Sequence, residues 1–341
     1  MENTKAEALP DLVLHYEKIS SKGEDALPTL LKDSKVGNYL LLSVYDGMGG
    51  AGSTTYEKES FKTGAAIASE LAKKVNEELF LELASADSFN ISDYPKKLEQ
   101  ALKTRFKEKI QEIDAKESRL KSSLIKRLPT TIAGIIADVS NEQQVKIVSF
   151  WAGDSRNFII DGHKGMMLIS KDDITSKGDS SVIDAPLSNS VNADTEFYIN
   201  QREITSSNKI VLLSATDGCF GYFNSLLHFE CQLLECILFS EGNIEEFKAN
   251  LSNAIKEVTQ DDFSMSILSL GYESFSELSK DIHIDLRIRK LEQWIEPLSR
   301  LEHKINHQQA EVSKLRDEML AAQKNTWEQY KAGYESLIAE S

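Results

Sequence analysis

The chain has 341 residues, with 54 acidic side chains against 39 basic ones and a formal net charge of −15. That balance argues against a nucleic-acid surface, which needs a basic stripe, while a hydrophobic fraction of 41% is that of a folded chain. No stretch approaches the roughly 18 apolar residues of a membrane span, and the first residues lack a basic segment followed by an apolar core, so neither a span nor a secretory signal is expected. Residues 11–19, DLVLHYEKI, alternate as a strand, and SSKGEDALPT follows as a loop. NYLLLSVYD is the next strand, and it runs into Asp46 and three glycines, Gly47, Gly49 and Gly50. On its own, that ending reads equally as a tight turn or as a site.

From residue 53 to 83 the period changes. Phe61, Ala65, Ala68, Leu71, Val75 and Leu79 recur at helical spacing. A second helix is expected from Tyr94 to Lys121, with Leu98, Leu102, Phe106, Ile110 and Ile113 on one stripe. Ser92 or Asp93 would cap it, with Pro95 in its first turn. TTIAGIIADVS and QVKIVSFWAGDSRNFIIDG read as neighbouring strands, and HKGMMLIS continues the meander. Residues 170–208 are polar and weakly patterned. KIVLLSATDG is another apolar strand ending in Asp-Gly, two helices cover FNSLLHFECQLLECILF and NIEEFKANLSNAIKEVT, and DDFSMSILSLG is a last strand opening on an acid pair. Past Gly271 the composition shifts. Ile284, Ile288, Leu291, Ile295 and Leu298, then Val312, Leu315, Met319 and Ala322, follow three- and four-residue steps. Pro297 is expected to kink or break this helical appendage. The stripe fits a coiled coil, a partner-binding helix or a hairpin packed on its own domain. Cys219, Cys231 and Cys236 are an odd count without a C-x-x-C pair, and read as reduced structural thiols of a cytosolic protein.

Aspartates stand at four strand-and-loop junctions, SKGEDAL, VYDGMGG, WAGDSRNF and SATDGCF, and a fifth junction is TQDDFSMS. Carboxylates beside apolar strands are costly unless paired or ligated. Five such junctions in one sheet-rich region suggest a convergent cluster, which a cation would have to neutralise. Oxygen ligands without matching His or Cys point to Mg²⁺ or Mn²⁺ and away from zinc.

In order and wording these motifs resemble the protein phosphatase 2C family of metal-dependent serine/threonine phosphatases, in its bacterial form. GEDA resembles the family's early Glu-Asp pair, VYDGMGG its D-G-x-G-G motif, and LPTTIAGIIA its Thr-Thr strand. WAGDSRNFII resembles the G-D-S-R strand, VLLSATDGCFGYF the S-D-G motif, and DDFSMSIL the closing D-D/N strand. The match spans about residues 10 to 271. The resemblance implies an α+β fold, a four-layer α-β-β-α sandwich of two antiparallel sheets with flanking helices. Residues 1–271 would be the catalytic domain and 272–341 a helical, coiled-coil-like extension.

The resemblance also implies roles. Asp46 would bridge two metals, with the Gly47 carbonyl on one of them. Asp217 and Asp261 would ligate the first metal, and Asp46, Asp217 and Asp261 would be the catalytic set. Glu24 and Asp25 would hold metal-bound waters, and Asp154 would help bind a third, weaker metal. The implied reaction is hydrolysis of phosphoserine and phosphothreonine by a water that two Mn²⁺ or Mg²⁺ ions activate. The implied setting is the cytoplasm, with a phosphoprotein substrate, a cognate serine/threonine kinase or signalling partner, no nucleic acid and no membrane. Residues 272–341 are a candidate for homo-oligomerisation.

The sequence also departs from the pattern. Met48 stands where many eukaryotic members have a histidine, and it cannot donate a proton. The arginine expected before the Glu-Asp pair is absent; Ser20 stands near its place and Lys22 is the nearest cation, a substrate-phosphate candidate without the bidentate fork. Gly221 replaces an aspartate four residues after Asp217, which weakens the third-metal expectation. Arg156 is expected to pair with an acid. A competing reading is a low-activity phosphatase fold that serves as a binding or scaffold module through its C-terminal helices.

Overall fold

A computed structural model describes residues 11–32, 37–86, 88–113, 126–141, 144–175, 186–206 and 209–334. In chain order the elements are β1 (Asp11–Tyr16), β2 (Thr29–Leu31), β3 (Tyr39–Val44), α1 (Gly49–Gly52), β4 (Thr55–Tyr56), β5 (Lys62–Thr63), α2 (Gly64–Ala84) and α3 (Tyr94–Glu112). Then come β6 (Ile132–Asp138), β7 (Val145–Ala152), β8 (Arg156–Asp161), β9 (Gly165–Leu168), β10 (Asn200–Ser206) and β11 (Ile210–Ala215). The remainder is α4 (Asp217–Phe220), α5 (Leu226–Phe239), α6 (Ile244–Val258), β12 (Phe263–Leu270), α7 (Phe275–Ser279) and α8 (Ile282–Tyr334).

The long strands read as unbroken apolar runs because both of their faces are covered. Among the described residues they form two five-stranded sheets, ordered β1-β12-β11-β8-β9 and β10-β7-β6-β3-β2. Every neighbouring pair is antiparallel. Alternation then sorts the side chains. Leu40 and Leu42 of β3, Ile135 of β6 and Ile147 of β7 face across to Ile159, Leu212 and Leu268 of the other sheet. Leu41, Ile136, Val148 and Phe150 point the other way, into a core with Leu71, Val75 and Phe80 of α2 and Leu98, Leu102 and Phe106 of α3. Outside the β1-β12-β11-β8-β9 sheet, Leu233 and Ile237 of α5 and Phe247 of α6 line a space with Ile160, Val211 and Ile267. The result is the expected α+β sandwich of two antiparallel sheets between helix pairs.

Three local expectations change. Residues 55–63 do not join the helix after the glycines but form the β4–β5 hairpin around a 3-10 turn. Ser60 and Phe61 take left-handed backbone angles there, φ 55° and 62°, and Phe61 is exposed. Helix α2 starts only where the Thr63 side chain caps it by accepting from the Ala66 amide. The expected single strand QVKIVSFWAGDSRNFIIDG is two strands in opposite sheets. It breaks at Gly153, at φ 110°, where a Cβ would meet the Thr131 side chain. The break sets Asp154 at the rim between the sheets. Pro297 does not end the last helix, which runs from Ile282 to Tyr334 through it. The Gln293 carbonyl freed by the missing amide is on an exposed stretch, where water can satisfy it. The expected end of the second helix, beyond Ile113, lies outside the described residues.

The compact unit that holds the sandwich runs to Ile288, and residues 289–341 form a second unit. Within the first, Arg287 makes a bidentate pair with buried Glu230, at 2.8 and 2.9 Å, while Ile284 and Ile288 are buried. Cys219, Cys231 and Cys236 are buried and unbridged.

Beneath the end of β3 lies a buried polar network. The Asn76 amide of α2 donates to Ser43 Oγ and to the Tyr45 hydroxyl, both at 2.8 Å, and its carbonyl oxygen accepts from the Tyr94 hydroxyl at 2.6 Å. Tyr45 OH also meets Thr29 Oγ1 at 2.9 Å. This network clamps the residue before Asp46 to the helix layer. Asn76→Ala strands several of these groups and is expected to cost about 2–4 kcal/mol, with Tyr45→Phe milder. Urea unfolding measures both, and an Asn76→Ala chain as stable as the parent would contradict the role assigned to the network.

Candidate functional site

The acid-bearing junctions meet at one end of the sandwich. Asp46 follows β3, Asp154 sits between β7 and β8, Asp217 opens α4 after β11, Asp261 precedes β12, and Glu24 and Asp25 lie in the loop before β2. Glu24, Asp25, Asp46, Asp154 and Asp217 are half-buried, Gly47 is buried and Asp261 is exposed.

Electrostatics shows the convergence. Loss of water raises the Asp46 carboxyl well above the usual carboxylate range, and Asp25, Asp217, Asp154 and Asp261 push it further. Asp25 is raised by burial, then by Asp217 and Asp262, against hydrogen bonds from Ser264 and Thr216. Asp154 is pushed up to about 8 by burial, Asp217 and Asp172, with Arg156 pulling the other way. Glu24 is raised by burial and by Asp262 and Asp261, and is opposed by a hydrogen bond from Thr63. Four carboxylates therefore act on Asp46 through their charge.

The glycines make this approach sterically possible. A Cβ at Gly47 would run into the Glu24 carbonyl, at Gly49 into the Glu24 carboxylate, and at Gly218 into the Asp262 carbonyl. In the structure Gly47 and Gly218 admit the loops that carry the other acids. The Thr-Thr pair before β6 holds the junction from below. The Asp46 carbonyl accepts from the Thr131 amide at 2.8 Å and from Thr130 Oγ1 at 2.6 Å.

Residues that sequence reading passed over position the cluster. Asp262 accepts from the Glu24 amide and the Lys18 amide, both at 2.8 Å, which ties the Glu-Asp loop to the start of β12. Thr63 donates to Glu24 Oε1 at 2.6 Å, and Thr216 to Asp25 Oδ2 at 3.1 Å. Asp173 accepts from the Gly153 amide at 3.1 Å and from the side chains of Asn189 and Asn200, so it fixes the turn before Asp154. Arg156 makes the expected acid pair, bidentate to Asp172 at 2.9 and 2.5 Å, and lies over the Phe220 ring. The signals were present as the Asp-Asp pairs 172–173 and 261–262, but nothing local says which backbone each would serve.

Lys22 is exposed on the turn before Glu24, its amide donating to the Ile19 carbonyl at 2.9 Å. His15 pairs with Ser264, His228 with Ser225, and His163 stacks on His283. Trp151 and Phe158 are buried core residues.

Among the described residues, no group of three or more His, Cys, Asp or Glu side chains is placed to hold a metal ion. The donor chemistry nonetheless fits a small hard cation. The donors are all oxygen, the excess charge is negative, and separated carboxylates suit Mg²⁺ or Mn²⁺, which keep several waters.

No family model matches the sequence, and no curated protein matches it. Solved structures do share its architecture, among them bacterial serine/threonine phosphatases. The S. agalactiae serine/threonine phosphatase aligns at a TM-score of 0.54 and 15% identity, over 77% of this chain and 100% of that one. The Mycobacterium tuberculosis serine/threonine phosphatase PstP/Ppp aligns at 0.52 and 16% identity, over 77% and 99%. Stp1 of Staphylococcus aureus aligns at 0.52 and 17% identity, over 80% and 100%. The chain has the two-sheet sandwich fold of these proteins, as the motif resemblance implied.

Raised carboxyls make the cation-free cluster a burden on stability. As pH climbs above the ordinary Asp value of about 4, the unfolded chain ionises freely while the folded chain resists, so stability falls with rising pH. Asp46→Asn removes the most crowded member. It is expected to raise the melting temperature in EDTA at pH 8 and to do less at pH 5. A variant that melts below the parent at pH 8 would overturn this reading of the cluster.

Proposed function

We propose that the chain is a metal-dependent phosphatase that hydrolyses phosphoserine and phosphothreonine in proteins. The observation that carries this reading is the set of acid-bearing loops whose four carboxylates raise Asp46 at the rim of a phosphatase-type sandwich. A cluster that repels itself when charged is suited to hold divalent cations. Asp46, Asp217 and Asp261 would ligate, with the Gly47 carbonyl as a further donor, Glu24 and Asp25 would hold coordinated waters, and Asp154 would serve a third, weaker position. Two bound Mn²⁺ or Mg²⁺ ions supply acidification of a water and offset the charge of the phosphoryl oxygens.

The chain's own residues supply position. Asp262 and Thr63 hold Glu24 by its amide and its carboxylate, and Thr216 holds Asp25. Thr130 and Thr131 fix the Asp46 carbonyl, so the carboxylate leaves β3 in one direction. Met48, half-buried beside the cluster, offers no proton, so the leaving serine or threonine oxygen takes its proton from water or another group. Lys22 is the exposed cation that we assign to the substrate phosphate, as a point charge without a fork.

The substrate would be a phosphoprotein made by a serine/threonine kinase. Unbridged cysteines fit a reducing cytoplasm. No helix among the described residues is long and apolar enough to cross a membrane.

Two measurements test the reading. Turnover of a phenyl phosphate and of a phosphothreonine peptide should need Mn²⁺ or Mg²⁺, vanish in EDTA, and fall at least about a hundredfold in Asp46→Ala or Asp217→Asn. Undiminished turnover in EDTA would rule out the metal-dependent enzyme. Independently of activity, Mn²⁺ should raise the melting temperature, and more at pH 8 than at pH 5, because ion and proton compete for the same raised carboxyls. A Mn²⁺ shift that is absent, or larger at pH 5, would remove the cluster as the ion's site.

A further inference from the structure

The second unit, residues 289–341, contains a helical stretch with an apolar stripe facing solvent. Residues 300–330 are exposed throughout, all of them helical. An unpartnered helix draws little stability from propensity alone, and apolar residues at regular spacing along it call for a partner. Leu298, Leu301, Ile305, Val312, Leu315 and Met319 are each 50–63% exposed. Their spacing is that of heptads. Leu298, Ile305, Val312 and Met319 take the a positions, and Leu301, Gln308, Leu315 and Ala322 take d.

The stripe has natural limits. Pro297 stands immediately before it, and after Ala322 the next seam residues are Thr326 and Gln329. Its composition selects a geometry. β-Branched Ile305 and Val312 at a with Leu301 and Leu315 at d favour two parallel strands. The flanking charges agree. In a parallel, in-register pair, each g residue meets the e residue five positions on in the other copy. That sets Glu311 against Arg316, Lys304 against Gln309, and Glu318 against Gln323, with no like-charge contact. Within its own helix Glu311 faces His307 at 3.9 Å, an exposed contact that leaves its carboxylate open to a second chain. Gln308, the one polar seam residue before Ala322, would meet its own copy in register.

We propose that residues 298–322 pair with the same segment of a second copy of this chain as a parallel, in-register, two-stranded coiled coil. The proposal rests on the helix alone and stands whether or not the sandwich is a phosphatase. Two copies share one assembly through an interface outside the acidic cluster, so the two functions separate by mutation.

The full chain should show twice its 38.2 kDa mass by sedimentation at micromolar concentration. Ile305→Asp with Val312→Asp should halve that mass and leave turnover per chain unchanged. Glu311→Arg alone and Arg316→Glu alone should each raise the dissociation constant roughly tenfold, and the double swap should restore it. Ala322→Cys should cross-link on oxidation, because only the parallel register brings that position against itself. A monomeric parent would overturn the proposal. So would a dimer that survives the paired Asp substitutions. Loss without restoration in the charge swap, or an Ala322→Cys dimer that fails to link, would overturn the parallel register.

Discussion

Carboxylates crowded at one rim of the sandwich repel one another and lose water, and much of the surrounding structure answers that constraint. Asp25, Asp46, Asp154 and Asp217 each raise the cost of ionising a neighbour. Left to themselves such groups would move apart into solvent. They are held because their backbones are anchored, by Asp262 on the Glu24 amide, by the Thr pair on the Asp46 carbonyl, and by Asp173 on the Gly153 amide. The glycines complete the arrangement by removing the Cβ atoms that would keep these loops apart. A site that stores repulsion in this way gains stability when a cation enters it.

The two-sheet core opposes that repulsion. Its inter-sheet face is built from Ile, Leu and Val, with a small number of buried polar residues placed where sheets must be tied together. Asn157 of β8 is one of them. Its amide donates to the carbonyls of Gly134 and Phe150 and to Ser149 Oγ, all in the opposite sheet, while its own oxygen accepts from Ser214. This clasp lies three residues after Asp154, so the switch of the chain from one sheet to the other is fixed at the rim. Rigidity there matters more than it would elsewhere, because a small displacement of one carboxylate changes its repulsion with the others.

The helical end of the chain follows a different logic. Before residue 289, Ile284 and Ile288 are covered within the compact unit, and Arg287 is locked to Glu230. Beyond residue 300 the apolar stripe is bare. One continuous helix therefore carries two kinds of apolar surface, one buried by the fold and one exposed.

Local order along the chain was legible in the sequence because it depends on short-range rules. Apolar runs of strand length, the helical period of α2 and α3, and the succession of acid-bearing junctions all sit within windows of ten to twenty residues. The same windows misread residues 53–63, where Phe61 matched the helical period while its backbone turned left-handed. They also joined β7 to β8, because a break at one glycine leaves the apolar pattern intact. What the tertiary structure alone decided is which acids act on which backbones. Asp262 and the Glu24 amide are 238 residues apart in sequence, and Thr216 and Asp25 are 191 apart. A hydrogen bond has no sequence signature at that separation, because its geometry exists only after both sheets have packed. The sequence determined the residues that can repel; the packing decided that they do, by bringing five loops to one rim.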